Sequence, residues 1–120
     1  MHNPVMAWEI EVSDEFIEWY ASLDVDECRS IHICTDALER YGPALGRPHV
    51  DTVNGSRFVN MKELRVQHQG RPYRILFAFD PRRCAYLILG GDKTGSDSWY
   101  VDAIRKADRI YAKHLKEIGG

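Results

Sequence analysis

Apolar and polar positions alternate with two different periods along this chain, and the change of period separates predicted strands from predicted helices. Residues 7–12 alternate with period two, as a short strand does. Ser13 then stands as the N-cap of a short helix, and the apolar positions after it recur at helical spacing. This first apolar stripe consists of Phe16, Tyr20 and Leu23.

A second helix follows almost at once and closes a predicted helical hairpin. Asp24 or Asp26 can cap its start, and the Gly–Pro pair at 42–43 stops it. Its apolar positions at steps of three and four residues are Ile31, Cys34, Leu38 and Tyr41. Residues 42–56 contain too many Gly, Pro, Asp and Asn residues for a regular element, so we expect a loop there.

Three strands are predicted over residues 57–69, 71–80 and 84–91, separated by a turn at Gly70 and by the sequence DPRR. The middle strand alternates between a strongly apolar face and a mixed one. The first face carries Tyr73, Ile75, Phe77 and Phe79, and the second carries Arg74, Leu76 and Ala78. The third strand is apolar on both faces, which indicates a central position in the sheet.

A long closing helix follows, with Ser96 or Asp97 as its cap and an apolar stripe on one side. The stripe consists of Ile104, Ala107, Tyr111, Leu115 and Ile118, and the solvated side includes Arg105, Lys106, Arg109 and Lys116. The order βααβββα predicts one α+β domain over 1–120, with a mainly antiparallel four-stranded sheet. We expect the helices to cover one sheet face and to leave the other open.

The composition is that of an ordinary globular protein, 44% apolar and 28% charged, without repeats or low-complexity tracts. The sequence has no apolar run of about 18 residues and no secretory signal pattern, so we expect a cytoplasmic protein without a membrane span. Three cysteines without a CxxC pair argue against a disulfide framework and a thiolate zinc site.

The formal net charge of −2 conceals a strong segregation of charge along the chain. Residues 1–40 hold ten acidic and two basic side chains, whereas residues 57–93 hold eight basic and three acidic ones. One surface is therefore expected to attract a polyanion and another to repel it. An accidental grouping of solvated charges is the alternative that charge alone leaves open.

The first two predicted strands of the 57–80 region concentrate this positive charge. If the apolar neighbours point to the core, then Glu63, Arg65 and Arg74 share the opposite surface, because side-chain direction has period two. Crowded guanidinium groups repel one another unless an anion lies among them, and a phosphate matches the guanidinium fork. The alternative is a surface ladder of ion pairs from the two arginines to Glu63 or Asp80.

A glycine-rich stretch, GGDKTGSDSWY, follows the last predicted strand over residues 90–100. It matches neither the dinucleotide-binding nor the P-loop spacing, so we exclude a nucleotide-binding loop. Lys93 within it is placed near the strand end where Arg74 also lies. Trp99 and Tyr100 open the closing helix, where an exposed aromatic side chain can stack on a base, although a core position suits Trp99 equally well.

The histidines show no spacing typical of a metal site, and we predict neither a metal nor a cofactor. His68 lies beside the Gly70 turn and His114 in the closing helix. We expect both on the surface, with a proton-carrying role only if the fold brings one of them to the basic patch.

Five short motifs occur in a fixed order through the second half of the chain. They are ELR at 63–65, GRPYRILFAF at 70–79, LGGDKTG at 89–95, WY at 99–100 and ADRIYAKHL at 107–115. Together they resemble the phage Gp49-like, HigB-type branch of the RelE/ParE toxin superfamily, over roughly residues 45–118. No single motif is specific, but the five in order are. The resemblance implies a RelE-like fold.

The resemblance also implies a function: a type II toxin that cleaves messenger RNA on the ribosome by metal-free attack of the ribose 2′-hydroxyl. The implied partners are the ribosome, messenger RNA and a cognate antitoxin, of the HigA-like helix-turn-helix kind. The acidic first forty residues are a possible docking surface for that partner. The alternatives are a ParE-like toxin that poisons DNA gyrase and a basic RNA-binding module that cuts nothing.

Three positions match the family pattern of functional residues, namely Arg74, Lys93 and Tyr100. Arg74 and Lys93, together with Arg65, are expected to stabilise the charged phosphorane. Tyr100 is expected to stack on a base, to orient it or to help move a proton. Glu63 completes the predicted catalytic group as a candidate general base. The predicted RNA-binding positions are Lys62, Arg71, His68 and Trp99.

The sequence departs from the pattern of RelE-type enzymes at the strand before Arg74. Those enzymes carry a lysine pair there, whereas this chain has Met61 and Glu63, with Lys62 on the opposite parity. Arginine does not deprotonate in proteins, so it cannot be the base. Glu63 and His68 therefore remain the two candidates for the general base. An ion pair between Glu63 and Arg65 would make Glu63 a weaker base.

Overall fold

The structure, a computed structural model, describes residues 7–95 and 98–119. Its elements are β1 (Ile10–Val12), α1 (Asp14–Ala21), α2 (Val25–Tyr41), a 3₁₀ turn (Gly42–Ala44), β2 (Val50–Thr52), β3 (Lys62–His68), β4 (Arg71–Phe79), β5 (Ala85–Asp92) and α3 (Ser98–Gly119). The predicted α+β class, with two helices after the first strand and one at the end, is confirmed. The predicted cap at Ser96 or Asp97 lies outside the described residues.

The helix starts follow from their caps. Ser13 Oγ accepts a hydrogen bond from the Phe16 N–H at 2.9 Å and donates one to the Ile88 carbonyl at 2.5 Å, which ties α1 to β5. Asp24, rather than Asp26, caps α2 in a reciprocal capping box with Glu27. No helix within the described residues is long and apolar enough to cross a membrane.

The sheet has five strands in the order β1-β5-β4-β3-β2, so the prediction of four was wrong. The extra strand, β2, lies inside the segment predicted as a loop. It forms because Val50 is buried in the core and pairs with Leu64 of β3. The other pairings are antiparallel except that β1 runs parallel to β5, and β5 has the predicted internal position.

The strand predicted from residue 57 begins only at Lys62. The preceding segment binds α3 instead of a neighbouring strand. Ser56 Oγ and the Arg57 N–H donate hydrogen bonds to the Asp108 carboxylate at 2.5 and 3.0 Å. These bonds also explain why an aspartate is buried in the middle of α3.

Helices cover the sheet on both faces, so the expectation of an open face was wrong. One core cluster joins α1 and α2 to the sheet through Phe16, Ile31, Leu38, Leu64, Ile75 and Phe77. The other joins α3 to the opposite face through Met61, Leu76, Ala78, Ile88, Ala107 and Tyr111. A sequence shows which side of α3 is apolar but not which sheet face it covers.

Gly90 and Gly91 on β5 let an indole ring lie against each sheet face. A Cβ atom on Gly90 would lie 2.2 Å from the Trp19 ring, and one on Gly91 would lie 2.5 Å from Trp99 Nε1. Trp19 belongs to the α1–α2 side, and Trp99 to the α3 side. The adjacent glycines are therefore needed for close packing on both faces.

Replacing Gly90 by alanine should lower the free energy of unfolding by about 1 to 3 kcal/mol, because the new methyl group overpacks the contact with Trp19. Urea unfolding measures the loss. Gly46→Ala is the matched control, since nothing lies within 4 Å of the Cβ position there. Equal stabilities for the two variants would contradict the described packing.

Candidate active site

Arg65 on β3 lies directly opposite Arg74 on β4, an arrangement of like charges that destabilises a sheet unless it is compensated. Glu63, on the same face of β3, supplies the compensation. Its Oε2 lies 2.9 Å from Arg65 Nε and 3.7 Å from Arg74 Nε. The side chains of Glu63 and Arg74 are only 7% and 11% exposed. The anion between the arginines is thus a carboxylate of the chain itself.

The ion-pair ladder considered in the sequence analysis is therefore correct for Glu63, although it is buried rather than exposed. It is wrong for Asp80, which lies at the far end of β4. Asp80 instead binds Arg82 at 2.7 Å and His114 at 2.9 Å.

Asp51 on β2 is a second carboxylate at this place, and it was not among the predicted site residues. It pairs with Glu63 across the two strands, and its Oδ2 lies 3.2 Å from an Nη2 of both Arg47 and Arg65. The hydrogen bond from Arg47, followed by that from the Thr52 N–H, lowers the pKa of Asp51 below its usual value. β2 is only three residues long, which is too short for an alternation of polar and apolar residues to identify Asp51 as part of a strand.

Tyr100 completes the arrangement from the first turn of α3. Its hydroxyl donates a hydrogen bond to Glu63 Oε1 at 2.6 Å. Burial, and then this bond to a carboxylate, raises the pKa of Tyr100 to about 12. Lys93 Nζ lies over the same ring, 5.3 Å from its centroid, and Trp99 packs edge-to-face against it at 5.1 Å.

We call Glu63, Arg65, Arg74, Lys93 and Tyr100 the Glu63 cluster. All five were predicted as catalytic, and the fold brings them together through Glu63 and the Tyr100 ring. Arg65 is the more accessible arginine, with 37% of its side chain exposed. The cluster thus offers cationic groups at the surface above a buried carboxylate that fixes them.

Three of the four predicted RNA-binding residues lie on the other sheet face. The register places Lys62 opposite Phe77, and His68 opposite Arg71, on the side of α1 and α2. Arg71 lies 3.7 Å from Glu27 and 3.8 Å from Asp92. The fourth residue, Trp99, lies beside the Glu63 cluster.

The surface positions expected for both histidines were wrong. His68 is buried, and its Nδ1 lies 2.7 Å from Ser30 Oγ. His114 is buried too and stacks on Tyr86 with ring centroids 3.6 Å apart. His68 lies on the α2 face and His114 at the Asp80 end of the sheet, so neither contacts the Glu63 cluster.

Among the described residues, Glu9, Glu11 and Cys84 are the one group of three whose potential metal-ligand atoms lie within 4.8 Å of one another. Burial raises the pKa of the Cys84 thiol to about 11, which disfavours the thiolate that binds metals. The group lies at the opposite end of β5 from Gly91, the partner of Arg74. It is therefore separate from the Glu63 cluster.

Tyr100 should make the folded chain lose stability at alkaline pH. Its pKa of about 12 in the folded chain lies above the value of about 10 usual for a tyrosine. Its contribution to stability is therefore fully present below about pH 10 and is lost as the pH rises toward 12. Between about pH 9 and 11, urea unfolding of the wild type should lose more free energy than that of Tyr100→Phe. A larger loss in the Phe variant would contradict this placement of Tyr100.

Comparison with known proteins identifies the family. The family model described as phage derived protein Gp49-like matches residues 18–112. This chain belongs to the Gp49-like family. The matched residues include the whole Glu63 cluster.

Two curated proteins of Mycobacterium tuberculosis, each named as a candidate toxin, are similar to this Gp49-like chain. HigB2 is 44% identical over 93% of the chain and 56% of its own length, and HigB3 is 52% identical over 76% of the chain and 79% of its own. The chain thus spans little more than half of HigB2. A chain from the crystal structure of an archaeal RelE–RelB complex from Pyrococcus horikoshii has the same fold, with a TM-score of 0.55 at 15% identity, over 76% of this chain and all of that one.

Proposed function

We propose that this Gp49-like chain is the toxin of a type II toxin–antitoxin pair and that it cuts messenger RNA on the ribosome, in the cytoplasm. The observation that carries the proposal is the Glu63 cluster, in which two strands and a helix converge on one carboxylate and Lys93 lies over the Tyr100 ring. The toxin names of HigB2 and HigB3 support the coarser part of the proposal.

The reaction that suits the cluster is attack by a ribose 2′-hydroxyl on the adjacent phosphate. A 2′-oxygen–phosphorus bond forms, the bond from phosphorus to the 5′ oxygen breaks, and the phosphorane between them gains negative charge. Arg65, Arg74 and Lys93 are the proposed donors to that charge. A guanidinium group remains protonated at any physiological pH, so it stabilises charge rather than transferring protons.

Glu63 is assigned to positioning rather than to proton transfer. Its carboxylate already accepts hydrogen bonds from Arg65 and Tyr100 and is almost fully buried. Tyr100, with a pKa of about 12, stays protonated near neutral pH but is poorly matched to act as a general acid there. We therefore assign the proton transfers to water or ribosomal groups, and much of the rate to positioning by the ribosome.

A cognate antitoxin, of the HigA-like helix-turn-helix kind, is the proposed inhibitory partner. The outer side of α2 is exposed and partly apolar at Val25 and Ile33, within the acidic first forty residues, and at the adjacent Tyr41. A partner with basic and apolar side chains fits such a surface. Co-expression of the neighbouring reading frame should relieve growth arrest, and arrest that continues unchanged would count against this partner.

Induction of the chain in growing cells tests the proposed function. Primer extension should reveal new ends in translated messages within minutes, while plasmid supercoiling stays normal. A translation inhibitor that strips ribosomes from messages should abolish the new ends. Intact messages together with altered supercoiling would instead indicate a ParE-like gyrase poison.

A further inference from the structure

A groove of about 920 Å³ runs beside the Glu63 cluster, along the end of β5 and the first turns of α3. We call it the α3 groove. Its apolar lining consists of Leu89, Gly90, Trp99 and Ala103. Its charged lining consists of Lys93, Arg105, Lys106 and Arg109, against Asp92 and Asp102. Lys93 lines the α3 groove and also lies over the Tyr100 ring, so this residue is shared by the groove and the Glu63 cluster.

Among the residues that the structure describes, the cations of α3 in the groove differ from the strand arginines in having no carboxylate partner. Arg65 and Arg74 are both bound to Glu63, so an incoming phosphate competes with an existing ion pair. In residues 7–95 and 98–119, the three exposed cations of α3 in the groove form no ion pair, namely Arg105, Lys106 and Arg109. A phosphate that binds there neutralises charge without breaking a pair.

Acidic residues bound the basic surface of the α3 groove at its far side. A second cavity of about 620 Å³ shares Lys106 and Arg109 with the α3 groove but adds four acidic residues against one further lysine, Lys113, to its lining. The acidic residues are Glu11, Asp14, Glu15 and Glu117. A polyanion is thus favoured on the Lys93 side of α3 and repelled beyond it.

We propose that the α3 groove binds the sugar–phosphate backbone of single-stranded RNA, with one base stacked on Trp99, and guides the strand to the Glu63 cluster. A basic groove that carries an aromatic side chain is the usual arrangement for binding a single strand without reading its sequence. Trp99 is partly exposed, which leaves part of its ring accessible to an unpaired base. The inference rests on the proposed function only in taking RNA as the ligand.

Asp102 gives the proposal an internal test, because its exposed carboxylate lies in the groove among these cations. Asp92 is different, since Arg71 and Thr94 already bind it. A bound phosphate chain is repelled by Asp102. Removing that charge should therefore strengthen RNA binding.

The experiment measures fluorescence anisotropy of a short labelled single-stranded RNA with the purified chain across a range of salt concentrations. The variant Lys106→Gln/Arg109→Gln loses two phosphate contacts. The slope of the logarithm of its binding constant against the logarithm of the salt concentration should therefore be about 1.4 less steep than that of the wild type. From about 50 to 200 mM salt, wild-type affinity should then fall roughly sevenfold more than that of the variant. Glutamine keeps a helix propensity close to that of lysine and arginine, so folding should be preserved.

Lys113→Gln/Lys116→Gln is the matched control, because it removes two exposed charges from the same helix outside the α3 groove. Its salt slope should stay close to that of the wild type, and Asp102→Asn should bind more tightly. The proposal is overturned if the control flattens the slope as much as the groove variant, if the groove variant leaves it unchanged, or if Asp102→Asn weakens binding.

Cleavage of a translated message, measured in parallel, separates this proposal from the proposed function. If the groove variant cuts normally and binds RNA like the wild type, only the proposed role of the α3 groove is wrong. If the wild-type chain binds RNA through the groove but leaves messages intact, the proposed nuclease activity is wrong and the proposed RNA binding by the groove is retained.

Discussion

Replacing Arg74 by alanine should lower the rate of message cleavage by roughly 100 to 1,000 fold, the usual cost of removing one donor to a charged transition state. Arg74 forms an ion pair with Glu63 at 3.7 Å, and its side chain is more buried than that of Arg65. Its loss leaves Glu63 bound to Arg65 and Tyr100, so the fold should persist. Cleavage by equal amounts of folded wild type and variant, with ribosomes present, measures the effect.

Arg71→Ala is the matched control for this prediction. Arg71 is the same residue type on the same strand, three positions away, but it lies on the opposite sheet face beside Glu27. Its replacement should change the cleavage rate by no more than a few fold. If Arg71→Ala lowers the rate as strongly as Arg74→Ala, the reaction does not take place at the Glu63 cluster.

Replacing Glu63 by alanine should lower the free energy of unfolding by about 3 to 5 kcal/mol, the cost of leaving a buried charge without its partner. The variant leaves Arg65 opposite Arg74, with only the more exposed Asp51 to compensate. Tyr100 also loses the acceptor of its hydroxyl. Urea unfolding at neutral pH measures the loss.

Two companion variants make the second prediction specific. Asp51→Ala removes a carboxylate that also binds Arg65 but is more exposed, and it should cost under about 1 kcal/mol. Glu63→Ala combined with Arg65→Ala should cost less than the sum of the single changes, because the second change removes the repulsion that the first exposes. Strict additivity, or a cost for Glu63→Ala as small as that for Asp51→Ala, would contradict the pairing.

The sequence predicted that the three strand residues of the Glu63 cluster share one face because that geometry follows from a local rule. Side-chain direction alternates along β3 and β4, so the parity of Glu63, Arg65 and Arg74 already placed them on one face. The same parity separates Lys62 from them. Tyr100, in contrast, entered the predicted group only through the family resemblance.

What the sequence could not predict depends on contacts between distant segments. No local pattern shows that α3 packs against the face opposite α1 and α2, or that Asp108 binds the segment before β3. The ion-pair partners of Arg65 and Arg74 could not be predicted either, because Asp80 was as good a candidate as Glu63. The burial of His114 follows from Asp80 and Tyr86, which are far from it in the chain.

Ribosomes programmed with a single defined message, mixed with the purified chain, test whether the Glu63 cluster cuts RNA on the ribosome. We expect the wild type to cut the message only when ribosomes are present, leaving a 2′,3′-cyclic phosphate on the upstream fragment, and Arg74→Ala to leave the message nearly intact. A message that stays whole with the wild type, or that is cut equally well by Arg74→Ala, would contradict this expectation.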